Sequence, residues 1–336
     1  MYAATFAELT GPDGIEYQEV PDPEPGPGEA VVDVAAASLN RHDLFVLRGE
    51  SAATEGVDLP FVSGLDLAGT VAAVGPGVES VAVGDRVMLC PNRTCGTCRF
   101  CRDGPENRCE SFGLFHGAFA EQACVDADRL LALPQEVDAR TAATLPTAYT
   151  TAWHMLRRTE VTAGDRVFVP GATGNVGVAA LGLLDAVGAE AIGSSGDPGK
   201  CERLNGLADR VIEGRDPERL RAAVGDEGPV DAVLNHLGGE YVQLGFDVLR
   251  RGGRMAVCGK TAGERADIAV DDLYWNQYTL AGSTMGTQAD LARVLSLVAA
   301  GDVSPVVDST YDLDEAATAF RRMADSDAVG ALVLEP

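Results

Sequence analysis

Four cysteines close together are the residues of this chain whose type and spacing most directly indicate chemistry. They are Cys95, Cys98, Cys101 and Cys109, in the pattern C-x2-C-x2-C-x7-C. Four thiolates in one short loop can complete the tetrahedral shell of a zinc ion and leave no open position, which is typical of a structural site. Two disulfides or an iron–sulfur cluster would use the same thiols. We therefore expect residues 90–110 to form a metal-binding lobe.

A glycine-rich turn later in the chain has the pattern of a nucleotide-binding loop. Residues 166–170 predict a short apolar strand, and the sequence VGVAALGLLDAVG after the turn predicts a buried helix. Small residues let the backbone approach a pyrophosphate, and the start of the helix favours an anion. A tight strand–helix turn without a ligand is the alternative. The candidate cofactor-binding residues are Gly171, Thr173, Gly174, Asn175 and Val176.

The end of the following predicted strand distinguishes the two nicotinamide cofactors. An acidic residue there would accept a hydrogen bond from the ribose 2′-hydroxyl of NAD. The strand AEAIGSS instead ends at Ser194 and Ser195, with Lys200 just beyond it. Small hydroxyls and a cation suit a 2′-phosphate, although Asp197 would favour NAD and Lys200 could simply be solvated. We predict NADP(H), with NAD(H) as the alternative.

The segments that must position these residues change in character near residue 150. Before it, short runs of β-forming residues separated by Gly and Pro predict a compact domain similar to a β-barrel. After it, strands alternate with helices, which predicts βαβ units and a parallel sheet. A chain of 336 residues is long for one core, so we expect an α/β protein of two domains.

The charge of the chain excludes several kinds of partner. The formal net charge is −25, a field that repels nucleic acid and anionic membranes. Lysine is almost absent, as in proteins of a salt-accumulating cytoplasm, although an acidic enzyme from a GC-rich genome would look similar. The first residues lack the pattern of a signal peptide, and no apolar run reaches the ~18 residues of a membrane span. We expect a cytoplasmic protein that acts on a small molecule.

Together these motifs resemble the medium-chain dehydrogenase/reductase superfamily. The resemblance extends over nearly the whole chain and includes the phrases GDRV at 84–87 and GSTMG at 282–286. It implies a GroES-like catalytic domain over residues 1–148, a Rossmann domain over 149–284 and a return to the catalytic domain over 285–336. It also implies one structural zinc ion and a homodimer or homotetramer.

The resemblance also shows where this chain departs from zinc-dependent alcohol dehydrogenases. Those enzymes bind a catalytic zinc through a cysteine, a histidine and a second cysteine. The first two places are held here by Asn40 and Leu65, and the third by Thr147, with Pro146 as the alternative. Leucine cannot bind a metal, and amide or hydroxyl oxygens are poor zinc ligands. The chain is therefore more similar to the zinc-free quinone oxidoreductases and enone or enoyl reductases, although most quinone oxidoreductases lack a cysteine lobe.

Hydride transfer to a quinone, a carbonyl or an activated C=C bond is the chemistry that the resemblance implies. His42 stands where alcohol dehydrogenases carry a proton-relay hydroxyl, so it could donate a proton or orient the substrate, or it could only pair with Asp43 at the surface. The candidate catalytic residues are His42, Asn40 and Thr147. Further candidate cofactor-binding residues are Arg41, Thr151, Asn235, Gly259 and Met285.

Two other function classes stay open at this point. A zinc-dependent alcohol dehydrogenase with atypical ligands is the first alternative. A protein that kept the fold only for binding is the second, as in the crystallin relatives that bind RNA. The net charge of −25 weighs against the second alternative.

Overall fold

A computed structural model describes residues 1–51 and 57–336 of the chain. These residues form two compact units. The first unit consists of residues 1–147, 287–299 and 307–336, and the second consists of residues 148–286 and 300–306.

The elements change along the chain from mostly strands to alternating strands and helices. The segment up to residue 143 contains β1 (Tyr2–Phe6), β2 (Ile15–Glu19), β3 (Glu29–Ser38), α1 (Arg41–Leu47), β4 (Phe61–Val62), β5 (Asp66–Val74), β6 (Arg86–Leu89), β7 (Asn92–Arg93), α2 (Arg99–Asp103), β8 (Gly113–Leu114), β9 (Gln122–Asp126), β10 (Leu130–Ala132) and α3 (Ala139–Ala143). The middle segment contains α4 (Thr150–Arg158), β11 (Arg166–Val169), α5 (Asn175–Val187), β12 (Glu190–Ser195), α6 (Pro198–Leu204), β13 (Arg210–Glu213), α7 (Pro217–Gly225), β14 (Val230–Asn235), α8 (Tyr241–Val248), β15 (Leu249–Val257), α9 (Val270–Trp275) and β16 (Thr279–Gly282). The last segment contains α10 (Gln288–Ala300), β17 (Val307–Asp312), α11 (Ala316–Ala324) and β18 (Ala331–Glu335).

The first unit is organised around the long strand β3. The strand order of its main sheet is β10-β6-β5-β3-β18-β17, and β9 also pairs with β3. Strand β18 comes from the end of the chain, and its Val333 pairs with Ser38 of β3. Three phenylalanines pack edge to face in the core, with the Phe320 ring centroid 5.6 Å from that of Phe6 and 5.7 Å from that of Phe119. The tail of the chain is therefore part of the first unit's core.

The second unit is a parallel sheet with helices between its strands. Its strand order is β13-β12-β11-β14-β15-β16, so the chain starts at β11, moves to one edge and then returns to build the other side. This is the order of a Rossmann sheet, in which ligands bind at the carboxyl ends of the strands where the order reverses. The predicted α/β class with a parallel sheet is confirmed. No helix among residues 1–51 and 57–336 has the length and apolar character needed to cross a bilayer.

The turn between β11 and α5 depends on a glycine that packs against backbone. A Cβ on Gly177 would lie 2.7 Å from the Cα of Ala172. Helix α5 is apolar, and most of its middle residues are buried. The small residue thus allows the first turn of the helix to lie directly on the preceding turn.

Replacing Gly177 by Ala should destabilise the protein because the added methyl group overlaps the backbone. We expect a loss of about 1–3 kcal/mol in the free energy of unfolding, measured by urea denaturation. Gly225→Ala is the matched control, since a Cβ on Gly225 meets no atom within 4 Å. Equal stability of the two variants would contradict this account of the turn.

Candidate functional site

The four cysteines predicted to bind a metal come together in the first unit. Their Sγ atoms all lie within 4.8 Å of one another. All four are free thiols, so the structure does not support the disulfide alternative. Cys98 precedes the short helix α2, Cys101 lies within it, and Cys109 follows a turn of 3-10 helix. Four sulfur atoms at this separation form a donor set that can hold a metal ion.

Backbone amides around the cluster favour ionised thiols. The Cys98 N–H donates to Cys95 Sγ at 3.3 Å, and the Cys95 N–H donates to Cys109 Sγ at 3.3 Å. Hydrogen bonds from the Thr97 and Cys98 backbone lower the pKa of Cys95 to about 6. Since the thiolate is the form that binds metal, the local backbone prepares this sulfur as a ligand.

A fully buried carboxylate lies among the residues that replace the zinc ligands. Asp66 begins β5 and accepts hydrogen bonds from Asn40 Nδ2 at 2.9 Å and from Thr147 Oγ1 at 2.6 Å. The Thr147 backbone N–H donates a third hydrogen bond to Asp66 at 3.1 Å. Leu65, the preceding residue, is fully buried. The structure thus places the two candidates Asn40 and Thr147 on one carboxylate.

The position of Thr147 depends on a local irregularity of the backbone. Residues Leu145–Tyr149 form a turn of π-helix directly before α4. Such turns are rare and occur often at functional sites. Here the turn presents both the amide and the hydroxyl of Thr147 to Asp66.

Asp43 is a second buried carboxylate, and Asn40 joins it to the first. Its Oδ2 accepts from the Asn40 backbone N–H at 2.9 Å, and its Oδ1 accepts from Ser63 Oγ at 3.4 Å. Ser63 Oγ also lies 3.3 Å from His116 Nδ1. Burial, with the nearby charge of Asp66 adding to it, raises the pKa of Asp43 to about 8. Burial likewise raises the pKa of Asp66 to about 7, against the effect of the hydrogen bonds from Thr147 and Asn40.

His42 lies beside His116 and does not pair with Asp43. The two ring centroids are 5.7 Å apart. His42 Nε2 is buried and has no hydrogen-bond partner among residues 1–51 and 57–336. Burial lowers the pKa of His42, and burial together with the neighbouring His42 lowers the pKa of His116 to about 4. Both rings are therefore neutral near pH 7.

The glycine turn of the second unit forms an open cradle at the carboxyl end of β11. Gly171 has a φ of 64°, a left-handed conformation that favours glycine. The Ala172 N–H donates to the Ser194 carbonyl at 2.8 Å, and the Gly171 N–H donates to Ser194 Oγ at 3.2 Å. A Cβ on Gly174 would have no neighbour closer than 3.8 Å, so space remains in front of the first turn of α5.

Unpartnered polar groups surround this cradle. Both side-chain polar atoms of Asn175 are buried and have no hydrogen-bond partner among the described residues. Asn235 Oδ1 accepts from the Leu237 and Gly238 N–H groups, whereas its Nδ2 has no partner in the same set. Buried polar groups are costly to leave unpaired, so groups of this kind beside an open turn fit a polar ligand such as a dinucleotide.

Four further candidate cofactor residues are Gly259, Thr151, Met285 and Arg41. Gly259 follows β15, and a Cβ there would lie 2.0 Å from the His236 carbonyl oxygen. Thr151 Oγ1 lies 3.8 Å from Met285 Sδ, and Met285 has a φ of 48°. Arg41 begins α1 in the first unit, where its Nη2 donates to Ser326 Oγ at 3.3 Å.

The predicted cofactor-specificity residues lie at the end of β12. Ser194 and Ser195 are buried, and Ser195 Oγ accepts from the Asp197 N–H at 3.3 Å. Asp197 caps α6, since its Oδ1 accepts from the Lys200 N–H at 2.9 Å. The carboxylate thus has a structural role, and the strand itself ends on hydroxyls.

Sequence reasoning did not select Ser63 or His116. His116 is one of only 4 histidines, and this scarcity was the available signal. The two residues come together because the Gly117 and Phe119 N–H groups donate to the Ser63 carbonyl, a contact between loops that no local pattern reveals.

Comparison with known proteins identifies the family. The model of the alcohol dehydrogenase GroES-like domain matches residues 26–135, and that of the zinc-binding dehydrogenases matches residues 207–334. The chain is 29% identical to an acryloyl-coenzyme A reductase of Metallosphaera sedula, over 96% of each chain. It is 32% identical to an NAD-dependent alcohol dehydrogenase of known structure, with a TM-score of 0.92 and complete coverage of both chains.

A second solved structure is similarly close. It is a cobalt- and zinc-bound thermostable alcohol dehydrogenase from Pyrobaculum aerophilum, 32% identical, with a TM-score of 0.90 over 100% of this chain and 99% of that one. These matches extend over both units and agree with the strand order and the cysteine cluster. The chain belongs to the alcohol dehydrogenase-like medium-chain dehydrogenase/reductase superfamily of oxidoreductases.

Proposed function

We propose that this chain uses NADPH to reduce the C=C bond of an α,β-unsaturated acyl thioester, and that its cysteine cluster holds a structural zinc ion. The observation that carries the proposal is the set of hydrogen bonds on Asp66. The similarity to an acryloyl-coenzyme A reductase supports the choice of acceptor. The chain is equally similar to alcohol dehydrogenases, so the local chemistry has to decide between the two reactions.

The hydrogen bonds on Asp66 leave a poor site for a catalytic metal. Asn40 Nδ2 and Thr147 Oγ1 both act as donors to the carboxylate. An amide nitrogen that carries hydrogens does not bind zinc, and the apolar Leu65 offers no lone pair. Oxidation of an alcohol depends on a group that lowers the pKa of its hydroxyl, whereas a conjugated acceptor already delocalises the arriving charge. The donor set therefore favours reduction of a conjugated C=C bond.

His42 is the group that we assign to the acceptor. NADPH, when bound, supplies the hydride. Hydride addition to the β-carbon would shift the electron pair of the C=C bond towards the thioester oxygen, and a proton from solvent would then complete the α-carbon. A neutral His42 that carries its proton on the buried, unpartnered Nε2 can donate a hydrogen bond to that oxygen as its charge develops.

The second unit is assigned to the cofactor. Its open glycine turn and the unpartnered Asn175 side chain fit a pyrophosphate, and Asn235 and Gly259 lie at neighbouring strand ends. Serines instead of an acid at the end of β12 support NADP(H) over NAD(H).

A substrate screen tests the reaction. Oxidation of NADPH should be fast with acryloyl-CoA or crotonyl-CoA, slower with quinones and simple enones, and alcohols with NAD(P)⁺ should not react. Metal analysis should find one zinc per chain, and a chelator should lower the unfolding temperature more than the initial rate. Two zinc ions per chain, with turnover of alcohols alone that a chelator abolishes, would falsify the proposal.

Substitution of His42 tests the assigned hydrogen bond. His42→Leu should lower kcat for the enoyl thioester by about 100-fold, as expected for loss of one donor to a developing oxyanion. His42→Asn keeps an N–H donor and should recover part of the rate. Because burial lowers the pKa of His42, wild-type activity should stay level as the pH falls through 6.5, its ordinary value. An unchanged kcat in the leucine variant would exclude the role.

Substitution of Asp66 tests the buried network through stability. Asp66→Asn can keep every contact, since its oxygen accepts from the two nitrogens and its NH₂ donates to Thr147 Oγ1. Asp66→Ala removes the acceptor of three hydrogen bonds and should lower the free energy of unfolding by at least about 2 kcal/mol.

The pH dependence of the same variants has a definite sign. Burial raises the pKa of Asp66 from 3.8 to about 7, so folding disfavours its ionised form. As the pH rises from about 4 to 7, the free energy of unfolding of the wild type should therefore fall relative to that of Asp66→Asn. Above pH 7 the two curves should run parallel. Chemical denaturation across this range measures the difference. Parallel curves throughout would show that Asp66 does not titrate as described.

A further inference from the structure

Gly196, which follows β12, lies under the side chain of Arg215, which comes from the loop after the neighbouring strand β13. A Cβ on Gly196 would be 2.1 Å from both Cγ and Nε of Arg215. Arg215 is exposed and follows β13, separated from it by Gly214. Its side chain therefore covers the end of β12, where the Rossmann order places the adenosine ribose of a dinucleotide. No sequence motif pointed to this residue.

The backbone of Arg215 is held in place by two hydrogen bonds. The Gly214 N–H donates to the Ser195 carbonyl at 2.8 Å, which extends the pairing of β12 with β13. Tyr241 Oη donates to the Arg215 carbonyl at 2.9 Å. The loop is thus tied to β12 on one side and to the start of α8 on the other, so the arginine does not depend on a ligand for its position.

The guanidinium of Arg215 makes no hydrogen bond or ion pair within residues 1–51 and 57–336. Other arginines of this unit, such as Arg219 and Arg221, also lack a partner within these residues, so the feature that distinguishes Arg215 is its place over the end of β12. By contrast, Arg166 pairs with Glu190 and Arg250 pairs with Asp231 in the same unit. An arginine held at a strand end without an anionic partner is available to an anion from outside the chain.

The surroundings of Arg215 suit a phosphate. The hydroxyls of Ser194 and Ser195 lie at the same strand end, and the Asp197 carboxylate is occupied as the cap of α6. Glu213, opposite Ser195 in the strand register, is the acidic residue that a phosphate would have to tolerate there. A planar guanidinium can bind a phosphate through two parallel hydrogen bonds, which one lysine cannot do.

We propose that Arg215 binds the 2′-phosphate of NADP and that it is the main determinant of cofactor specificity in this chain. The inference rests on the proposed use of NADPH and adds the residue that selects it. It also gives Gly196 a function, because any larger residue there would displace the Arg215 side chain.

Binding of two adenosine fragments to the full-length protein tests this inference apart from catalysis. Isothermal titration calorimetry should show that the wild type binds 2′,5′-ADP more tightly than 5′-AMP. Arg215→Ala should weaken binding of 2′,5′-ADP by about 10- to 100-fold and leave binding of 5′-AMP unchanged, since one charged hydrogen-bonding group is lost. Arg215→Lys should recover part of the affinity. Gly196→Ala should reproduce the effect of Arg215→Ala.

Arg221→Ala is the matched control, since it removes an equal charge from an exposed position on α7. If the wild type prefers 2′,5′-ADP and Arg215→Ala keeps that preference, the assignment to Arg215 is wrong and NADPH use stands. If the wild type binds 5′-AMP as tightly as 2′,5′-ADP, or binds neither, the cofactor in the proposed function is wrong and this inference fails with it. Retained 5′-AMP binding shows that a variant is folded.

Discussion

A buried carboxylate needs hydrogen-bond partners whether it is ionised or protonated. In the first unit, separate segments of the chain supply those partners to Asp66. The residue begins β5, its donors come from the start of α1 and from the π-turn before α4, and all of them reach it within 3.1 Å. Removing two oxygens from water without partners would cost several kcal/mol. The network therefore fixes three segments that are distant in sequence relative to one another.

Asn40 has a special place in this arrangement because it contacts both buried carboxylates. Its side chain donates to Asp66, and its backbone N–H donates to Asp43. The second contact is also the capping box of α1, so one residue starts the helix and joins the two acids. Burial raises the pKa of Asp43, and the nearby charge of Asp66 raises it further, because like charges in a dry environment repel.

Much of the fold was predictable, because alternation of short apolar strands with helices has few solutions other than a parallel sheet. The cysteine cluster was predictable as well, since its four residues lie within one short segment. The polar network was less so. Thr147 donates to Asp66 through its backbone as well as its hydroxyl, and that depends on a π-turn without a sequence signature. Arg215 was missed because its position depends on parallel pairing between β12 and β13, which is a property of the sheet and not of either segment.

The interlocked hydrogen bonds around Asn40, Asp66 and Thr147 limit which residues these positions can accept. A cysteine at position 40 would remove the amide that donates to Asp66. A cysteine at position 147 would remove the hydroxyl that donates to the same carboxylate. A histidine in place of the fully buried Leu65 would enlarge a packed position and bring in unpaired nitrogens. Each of these three changes taken alone would therefore lower the stability of the protein. The shared hydrogen bonds on Asp66 thus resist substitution at positions 40 and 147 together, since neither of them can change without disturbing the partner of the other.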